Sequence, residues 1–356
     1  MSASSTPPGR DSRLAAKHRT REQMPGLLAR FDDPYGIAWR IANAVRRFDP
    51  VRTLRFVRAW VNPPEHKAPI LVVGMPRSGT QFLFHLLRES PVLGSMPREG
   101  HDVWRRHHHP RRDGWQSDRV GAGQVRPGER RFVNAWFASF TGGRRLVEKT
   151  ADNVLRVPYL LELFPDAMFV VIKRNPCDVL NSYINMWRQP QGRFRSYFVP
   201  AALQIPSYPH RHQWCSTLID GWRDLITSPV PEIAFAQWRE YVERIVEARR
   251  IVPAGQWIEF HFEDVLAHPE STMADLYQRL GLVPDAGMAA KLEELLANPI
   301  NTLSPPGHEK WRTQNAEEVR ALLPKISRLA PELGYTIDSA SGTMRWPGLT
   351  TGGQAS

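Results

Sequence analysis

Apolar residues along this chain keep two rhythms. Ile70-Leu71-Val72-Val73 and Ala167-Met168-Phe169-Val170-Val171-Ile172 are short unbroken runs, the habit of strands buried on both faces of a parallel sheet. Arg145–Glu148 and residues 256–260 predict two more strands. Elsewhere the spacing changes to three and four. It does so at Phe82, Leu83, Leu86 and Leu87, over Phe132–Phe140, over 155–163 and after Pro176 as far as 187. The longest such stretch, 232–250, carries Ile233, Trp238, Tyr241, Val242, Ile245 and Val246. Helices are also expected near 270–280 and 286–297. Strands alternating with helices predict an α/β fold, a parallel sheet flanked by helices.

The breaks in pattern divide the chain into three parts. Residues 1–66 read as a basic extension, helical around Gly36–Trp60 and closed by Pro63-Pro64. Residues 67–335 hold the α/β domain, and 336–356, rich in Gly, Ser and Thr near the end, read as a flexible tail. Within the domain, 91–131 reads as loops. Arg188–Cys215, with several prolines and aromatics, reads as a long lid or binding loop.

The first strand leads into candidate chemistry. Gly74-Met75-Pro76-Arg77-Ser78-Gly79 follows it, and a helical pattern begins just after. Such a loop turns backbone N–H groups inward while the helix adds its positive end, which makes a phosphate cradle of the P-loop-NTPase kind. Its glycines are five apart, as in G-x-x-x-x-G-K-[ST]. Thr80 and Gln81, however, stand where that motif has Lys and Ser/Thr. The grip on a γ-phosphate and the Mg²⁺ hydroxyl are therefore both missing. The plain alternative is a tight strand-to-helix connection. A second site argues against it. The strand ending at Ile172 leads into Lys173-Arg174-Asn175-Pro176-Cys177-Asp178, with Pro176 suited to a helix's first turn and Asp178 to its positive end. Arg174 stands at the carboxyl end of that strand, where open α/β sheets bind ligands. Ser182 follows eight residues later, about two turns along the helix.

These residues carry a family resemblance. Pro76-Arg77-Ser78-Gly79-Thr80-Gln81 resembles the 5′-phosphosulfate loop of sulfotransferases that use 3′-phosphoadenosine 5′-phosphosulfate (PAPS). The family pattern there is Pro-(Arg/Lys)-Ser-Gly-Thr-Thr, and its Pro-Arg-Ser-Gly-Thr form also occurs in the tyrosylprotein branch. Arg174 and Ser182 resemble the family's 3′-phosphate pair. Glu148-Lys149-Thr150 is similar to its Lys segment, and His261-Phe262-Glu263-Asp264-Val265-Leu266 to its Tyr-Glu-Asp-Leu segment. The resemblance spans roughly 67–335. It implies a sulfotransferase fold and transfer of a sulfuryl group from PAPS to an acceptor hydroxyl, with a general base and no metal. Arg77, Ser78, Gly79, Thr80 and Gln81 would hold the 5′ side, and Arg174 and Ser182 the 3′-phosphate. Phe262 would stack on adenine, and Lys310 and Arg312, in Gly307-His308-Glu309-Lys310-Trp311-Arg312, would close over the phosphate. Lys149 would sit at the bridging oxygen. Glu99, 22 residues after Arg77, or His101 would be the base. Burial would raise the carboxyl pKa of such a base.

Composition narrows the picture. Two cysteines, Cys177 and Cys215, form no C-x-x-C pair and suit a reducing cytoplasm. No apolar run nears the roughly 20 residues that span a bilayer, which leaves peripheral membrane contact open. The net charge of +11 fits a polyanionic donor, and no nucleic-acid fold is recognisable. Arg105, Arg106, Arg111 and Arg112 flank His107, His108 and His109, a run read as a solvated loop ahead of a metal tract or an anion patch. Aromatic residues in 188–215 suggest an apolar acceptor, a lipid, quinone or phenol, with a carbohydrate or peptide as the open alternative. Two rivals stay open, a nucleotide kinase or NTPase with a degenerate P-loop and a non-catalytic bisphosphate-binding protein. The acceptor and the oligomeric state are not written in the sequence.

Overall fold

The computed structural model describes residues 49–189, 195–298 and 309–348. Most of the expected N-terminal extension, including 36–48 of its helix, lies outside them. The described chain opens with helix α1 (Pro50–Val61), strand β1 (Ile70–Val73), helix α2 (Thr80–Leu87) and a short strand β2 (Leu93–Gly94). Helices α3 (His101–His108) and α4 (Glu129–Thr141), strand β3 (Arg145–Lys149) and helix α5 (Val157–Leu163) follow. Next come β4 (Met168–Lys173), α6 (Pro176–Trp187), β5 (Arg195–Phe198), β6 (Gln213–Cys215) and α7 (Val230–Ile251). Strand β7 (Trp257–His261) precedes α8 (Phe262–Ala267), α9 (Pro269–Leu280) and α10 (Ala286–Ala297). Helices α11 (Trp311–Gln314) and α12 (Ala316–Leu329) and strands β8 (Thr336–Ile337) and β9 (Met344–Arg345) end it.

Five strands form one parallel sheet in the order β2-β3-β1-β4-β7. Period-two alternation sends Leu71, Val73, Phe169 and Val171 to one face, and Ile70, Val72, Val170 and Ile172 to the other. The first face packs on α6, α7 and α12 through Tyr183, Trp238, Tyr241 and Ile326, and the second on α2, α9 and α10 through Leu83, Leu276 and Leu292. Both faces are covered, so the strands carry no polar side and read as unbroken apolar runs. The chain reverses direction across the sheet beside β1, so the loops after β1, β3 and β4 open at one edge.

Three expectations change. Residues 91–131 are not loop throughout, because α3 and a short 3-10 turn at Pro110–Asp113 lie there. Only Val103 and Trp104 mark the apolar face of α3; its other inward groups are Arg and His, which hide the pattern. The 188–215 stretch contains a two-stranded hairpin, β5 with β6. The segment from 336 onward is anchored as far as 348. Strands β8 and β9 pair, and Trp346 Nε1 donates to Asp264 at 2.9 Å. Arg312 also donates to the Ser341 carbonyl. Residues 349–356 fall outside the described chain.

Candidate functional site

β1 ends on a loop that turns sharply twice. Gly79 precedes α2 with φ 108°, and a Cβ there would come within 2.7 Å of the Phe262 ring. Only glycine meets both demands, the left-handed backbone and the close ring. Arg77 has φ 76°, a conformation costly for a residue with a side chain. Ser78 is buried, and its hydroxyl donates to the Met75 carbonyl at 2.7 Å. Thr80 is buried in the first helical turn of α2.

The Arg174–Ser182 segment closes on this loop. Arg77 Nε donates to Ser182 Oγ at 2.9 Å, and Arg174 Nη1 donates to the Arg77 carbonyl at 3.3 Å. The Arg174 guanidinium also lies over the Phe262 ring, 5.3 Å from its centroid. Arg77, Ser182, Arg174 and Phe262, spread over 186 positions of sequence, thus touch in series.

On the other flank, β3 delivers Lys149 to the N-terminal end of α2. Its ammonium donates to Gln81 Oε1 at 3.0 Å and forms an ion pair with Glu99. Lys149 is buried and Glu99 half-buried. Glu99 in turn meets His101 Nε2 at 2.7 Å, and His101 Nδ1 lies 3.8 Å from Asp152. Burial works to raise the Glu99 carboxyl pKa, as the sequence suggested. The His101 hydrogen bond and the Lys149 charge overcome it and bring the group to about 2. Burial likewise opposes the Asp152 carboxylate, yet the charges of His101, Arg105 and Arg156 hold its pKa below the ordinary range.

Glu148, one residue before Lys149, points the other way. It accepts from Gly100 N–H at 3.2 Å, Trp104 Nε1 at 3.3 Å and Asn153 Nδ2 at 3.0 Å. That carboxylate therefore fixes the start of α3, and with it Glu99 and His101, against β3. Sequence reading had not singled out Glu148 or Asp152. Their places flanking Lys149 on a strand and its exit, in Glu148-Lys149-Thr150-Ala151-Asp152, were the available signal.

Lys310 and Arg312 part company. Asp178 accepts from the backbone N–H of Glu309 at 2.9 Å, which docks this segment at the start of α6. Burial and the nearby Arg174 charge lower the Lys310 pKa. Arg312 instead pairs with Glu309 at 2.9 Å and lies over the Trp311 ring at 4.3 Å. Gly307 and His308 of that motif lie outside the described residues.

The Arg/His run on α3 is more than a solvated loop. Arg105 reaches Asp118 and Asp152, each at 3.7 Å, and lies over the Tyr197 ring. Burial opposes its charge, but Tyr197, Asp118 and Asp152 raise its pKa. His108 is buried against Glu129 at 3.0 Å. A helix turns these residues inward by period, which a loop reading could not anticipate.

A family profile described as the Sulfotransferase family matches residues 69–226 and 207–285, more than half of the chain. The protein belongs to the sulfotransferase family. It is similar to the omega-hydroxy-beta-dihydromenaquinone-9 sulfotransferase Stf3 of Mycobacterium bovis, 26% identical over 168 residues, which are 47% of this chain and 36% of Stf3. Nodulation protein NoeE of Sinorhizobium fredii is 27% identical over 138 residues, 33% of this chain and 32% of NoeE. The chain matches about a third of the length of these curated relatives. Among solved structures, sulfotransferase STF9 from Mycobacterium avium aligns over 92% of this chain and 97% of its own, with a TM-score of 0.49 and 16% identity. Among the described residues no helix is long and apolar enough to cross a membrane.

Proposed function

We propose that this protein transfers a sulfuryl group from PAPS to an acceptor hydroxyl by in-line displacement. One observation carries the reading. Two cationic arms, Lys149 on one side and Arg77 with Arg174 on the other, converge on a glycine loop at a helix N-terminus. Lys149 reaches from β3 to the place where a P-loop lysine would work from within the loop. A buried ammonium held among the described residues by Gln81 and Glu99 suits a bridging oxygen that gains charge as its bond to sulfur breaks.

The division of labour follows from position. Loop amides, Ser78, Thr80 and Gln81 hold the 5′-phosphate side, Gln81 through its amide N–H. Arg174 and Ser182 take the 3′-phosphate, with Lys310 beside them, while Arg312 braces the segment that carries Lys310. The Phe262 ring is buried beneath the Arg174 guanidinium, so an adenine would reach its face as Arg174 swings out to the 3′-phosphate. Glu99 accepts the acceptor's proton as its oxygen bonds to sulfur, and adenosine 3′,5′-bisphosphate leaves. Lys149 holds Glu99 fully ionised in the resting site. A donor phosphate competes for the same ammonium, and Glu99 gains basicity as the ammonium moves away. His101 bridges Glu99 to Asp152 and keeps the carboxylate aimed.

Thr80 and Gln81 leave a magnesium nucleotide without its lysine and hydroxyl, which speaks against the kinase reading. The acceptor proposed is an apolar molecule with a free hydroxyl, of the lipid, quinone or phenol kind. The name of Stf3, a sulfotransferase of a hydroxylated menaquinone, supports that class. Turnover of labelled PAPS against hydroxylated isoprenoid quinones, phenols and sugars tests the reaction. Transfer to at least one acceptor, lost in Lys149→Ala, is expected. Tight bisphosphate binding without transfer to any of them would leave the non-catalytic rival standing.

A further inference from the structure

We propose that α1 docks this protein on an anionic lipid surface. The inner face of α1 is settled by contacts with α4, where Phe56 meets Phe132 and Trp136 at ring distances of 6.4 and 6.0 Å. At about 100° per residue, Leu54, Val57 and Val61 project from the opposite side. They are 70%, 52% and 70% exposed; Val51, on the far side of Arg58, is 57% exposed, and Trp60, turned toward Phe56, is 40% exposed. An amphipathic helix in a globular protein buries its apolar stripe. This one buries Ala59 and part of Phe56 and turns a second stripe outward. Leu54, Val57 and Val61 on one exposed face, with Val51 and Trp60 at its two margins, mark a contact surface.

Charge selects the occupant. Arg58 projects between Leu54 and Val51 and Arg55 borders them, both exposed, and the helix holds no Asp or Glu. Arg55 lies against Gly142 at the end of α4, two residues before the exposed Arg144. Arg131 lies over the Trp60 ring at the stripe's edge, 5.4 Å from its centroid. An apolar stripe, an arginine border and a tryptophan at the margin are the make-up of a helix that lies in a membrane interface. The first 66 residues carry twelve Lys and Arg against six Asp and Glu. A second copy would set one arginine-bordered stripe against another. The chain's own first 48 residues, with nine Lys and Arg against four Asp and Glu, match its charge no better. Anionic headgroups complement it.

The docking stands apart from the transfer chemistry, although the two are neighbours. Arg106 of α3 lies over Phe132 of α4 at 4.3 Å, and α3 begins at His101. The lipid surface would lie two helices from the candidate site.

Vesicle flotation tests the proposal with the full chain and no nucleotide. The protein should float with vesicles of phosphatidylcholine and phosphatidylglycerol, much less with phosphatidylcholine alone, and less as salt rises. Arg55→Gln with Arg58→Gln should weaken the partition by about tenfold or more. Leu54→Gln with Val61→Gln should weaken it by a similar factor, and the thermal midpoint of both variants should stay at the parent value because all four side chains are exposed. A parent that does not float, or variants that float as the parent does, would overturn the proposal. So would a dimer in sedimentation that Leu54→Gln with Val61→Gln dissociates, since the stripe would then belong to a second copy.

Discussion

Glu99 is held between two groups that favour its ionised form, and this sets its pH behaviour. Its folded pKa, about 2, lies below the ordinary glutamate value because His101 and Lys149 outweigh burial. A depressed carboxylate stabilises the fold above its ordinary pKa and loses that contribution as pH falls through the folded value. The stability gap between parent and Glu99→Gln should therefore shrink as pH drops from about 4.5 to about 2. A gap that stays constant over that range would mean the pair with Lys149 contributes nothing in solution. For catalysis, Glu99→Gln should lower kcat by about 10²–10⁴-fold while bisphosphate affinity stays near the parent's. His101→Asn should cost less, because in the mechanism proposed His101 aims the carboxylate and takes no proton. An acid limb near 6.5 in kcat/KM, together with a dead His101→Asn and an active Glu99→Gln, would exchange the two roles.

At the level of elements, the two strand-loop-helix turns were the most legible part of the chain. Ile70–Val73 and the 168–173 run declare themselves because both sheet faces are covered, and glycine and proline mark the turns that follow. Helix α10 coincides with its expected span, since its apolar spacing is uninterrupted. Helix α3 was lost among its own arginines and histidines. Helix α12 carries the helical spacing Val319, Leu322, Leu323, Ile326, interrupted by Pro324, whereas the β8–β9 hairpin draws its order from tertiary contacts that no local pattern announces. The same divide runs through the candidate site. Arg77, Lys149 and Arg174 stand in motifs at strand ends, and Ser182 about two helical turns beyond one. Glu148 and Glu263 stand inside such motifs too, but their roles, like that of Asp152, come from partners far away in sequence. Glu263 shows what this costs. It is buried and accepts from Asn175 N–H at 2.8 Å and Tyr335 O–H at 2.6 Å, tying the start of α6 to the C-terminal segment. Tyr335→Phe should cost about 1–3 kcal/mol in a denaturant melt, the expense of a buried carboxylate short of a donor. Gly79→Ala should be worse for function than for folding. Its Cβ would force the Phe262 ring away from the loop and should abolish measurable nucleotide binding while the far-ultraviolet spectrum stays native.

At the scale of the whole molecule, a chain of net charge +11 gathers part of its excess at one sheet edge and part along α1. On the function proposed, the edge cluster would hold a polyanion through fixed cations and loop amides. Transfer should accordingly survive EDTA, and loss of activity restored by Mg²⁺ would favour a kinase. The central claim is that the second cationic arm exists to hold a 3′-phosphate. Calorimetry with adenosine 3′,5′-bisphosphate and 5′-AMP tests it without knowledge of the acceptor. The bisphosphate should bind about ten- to a hundredfold more tightly, the worth of a charge-assisted contact of roughly 1.5–3 kcal/mol, and Arg174→Ala should close most of that gap. Equal affinities for the two nucleotides in the parent protein, or tighter binding of ATP with Mg²⁺ than of either, would contradict it.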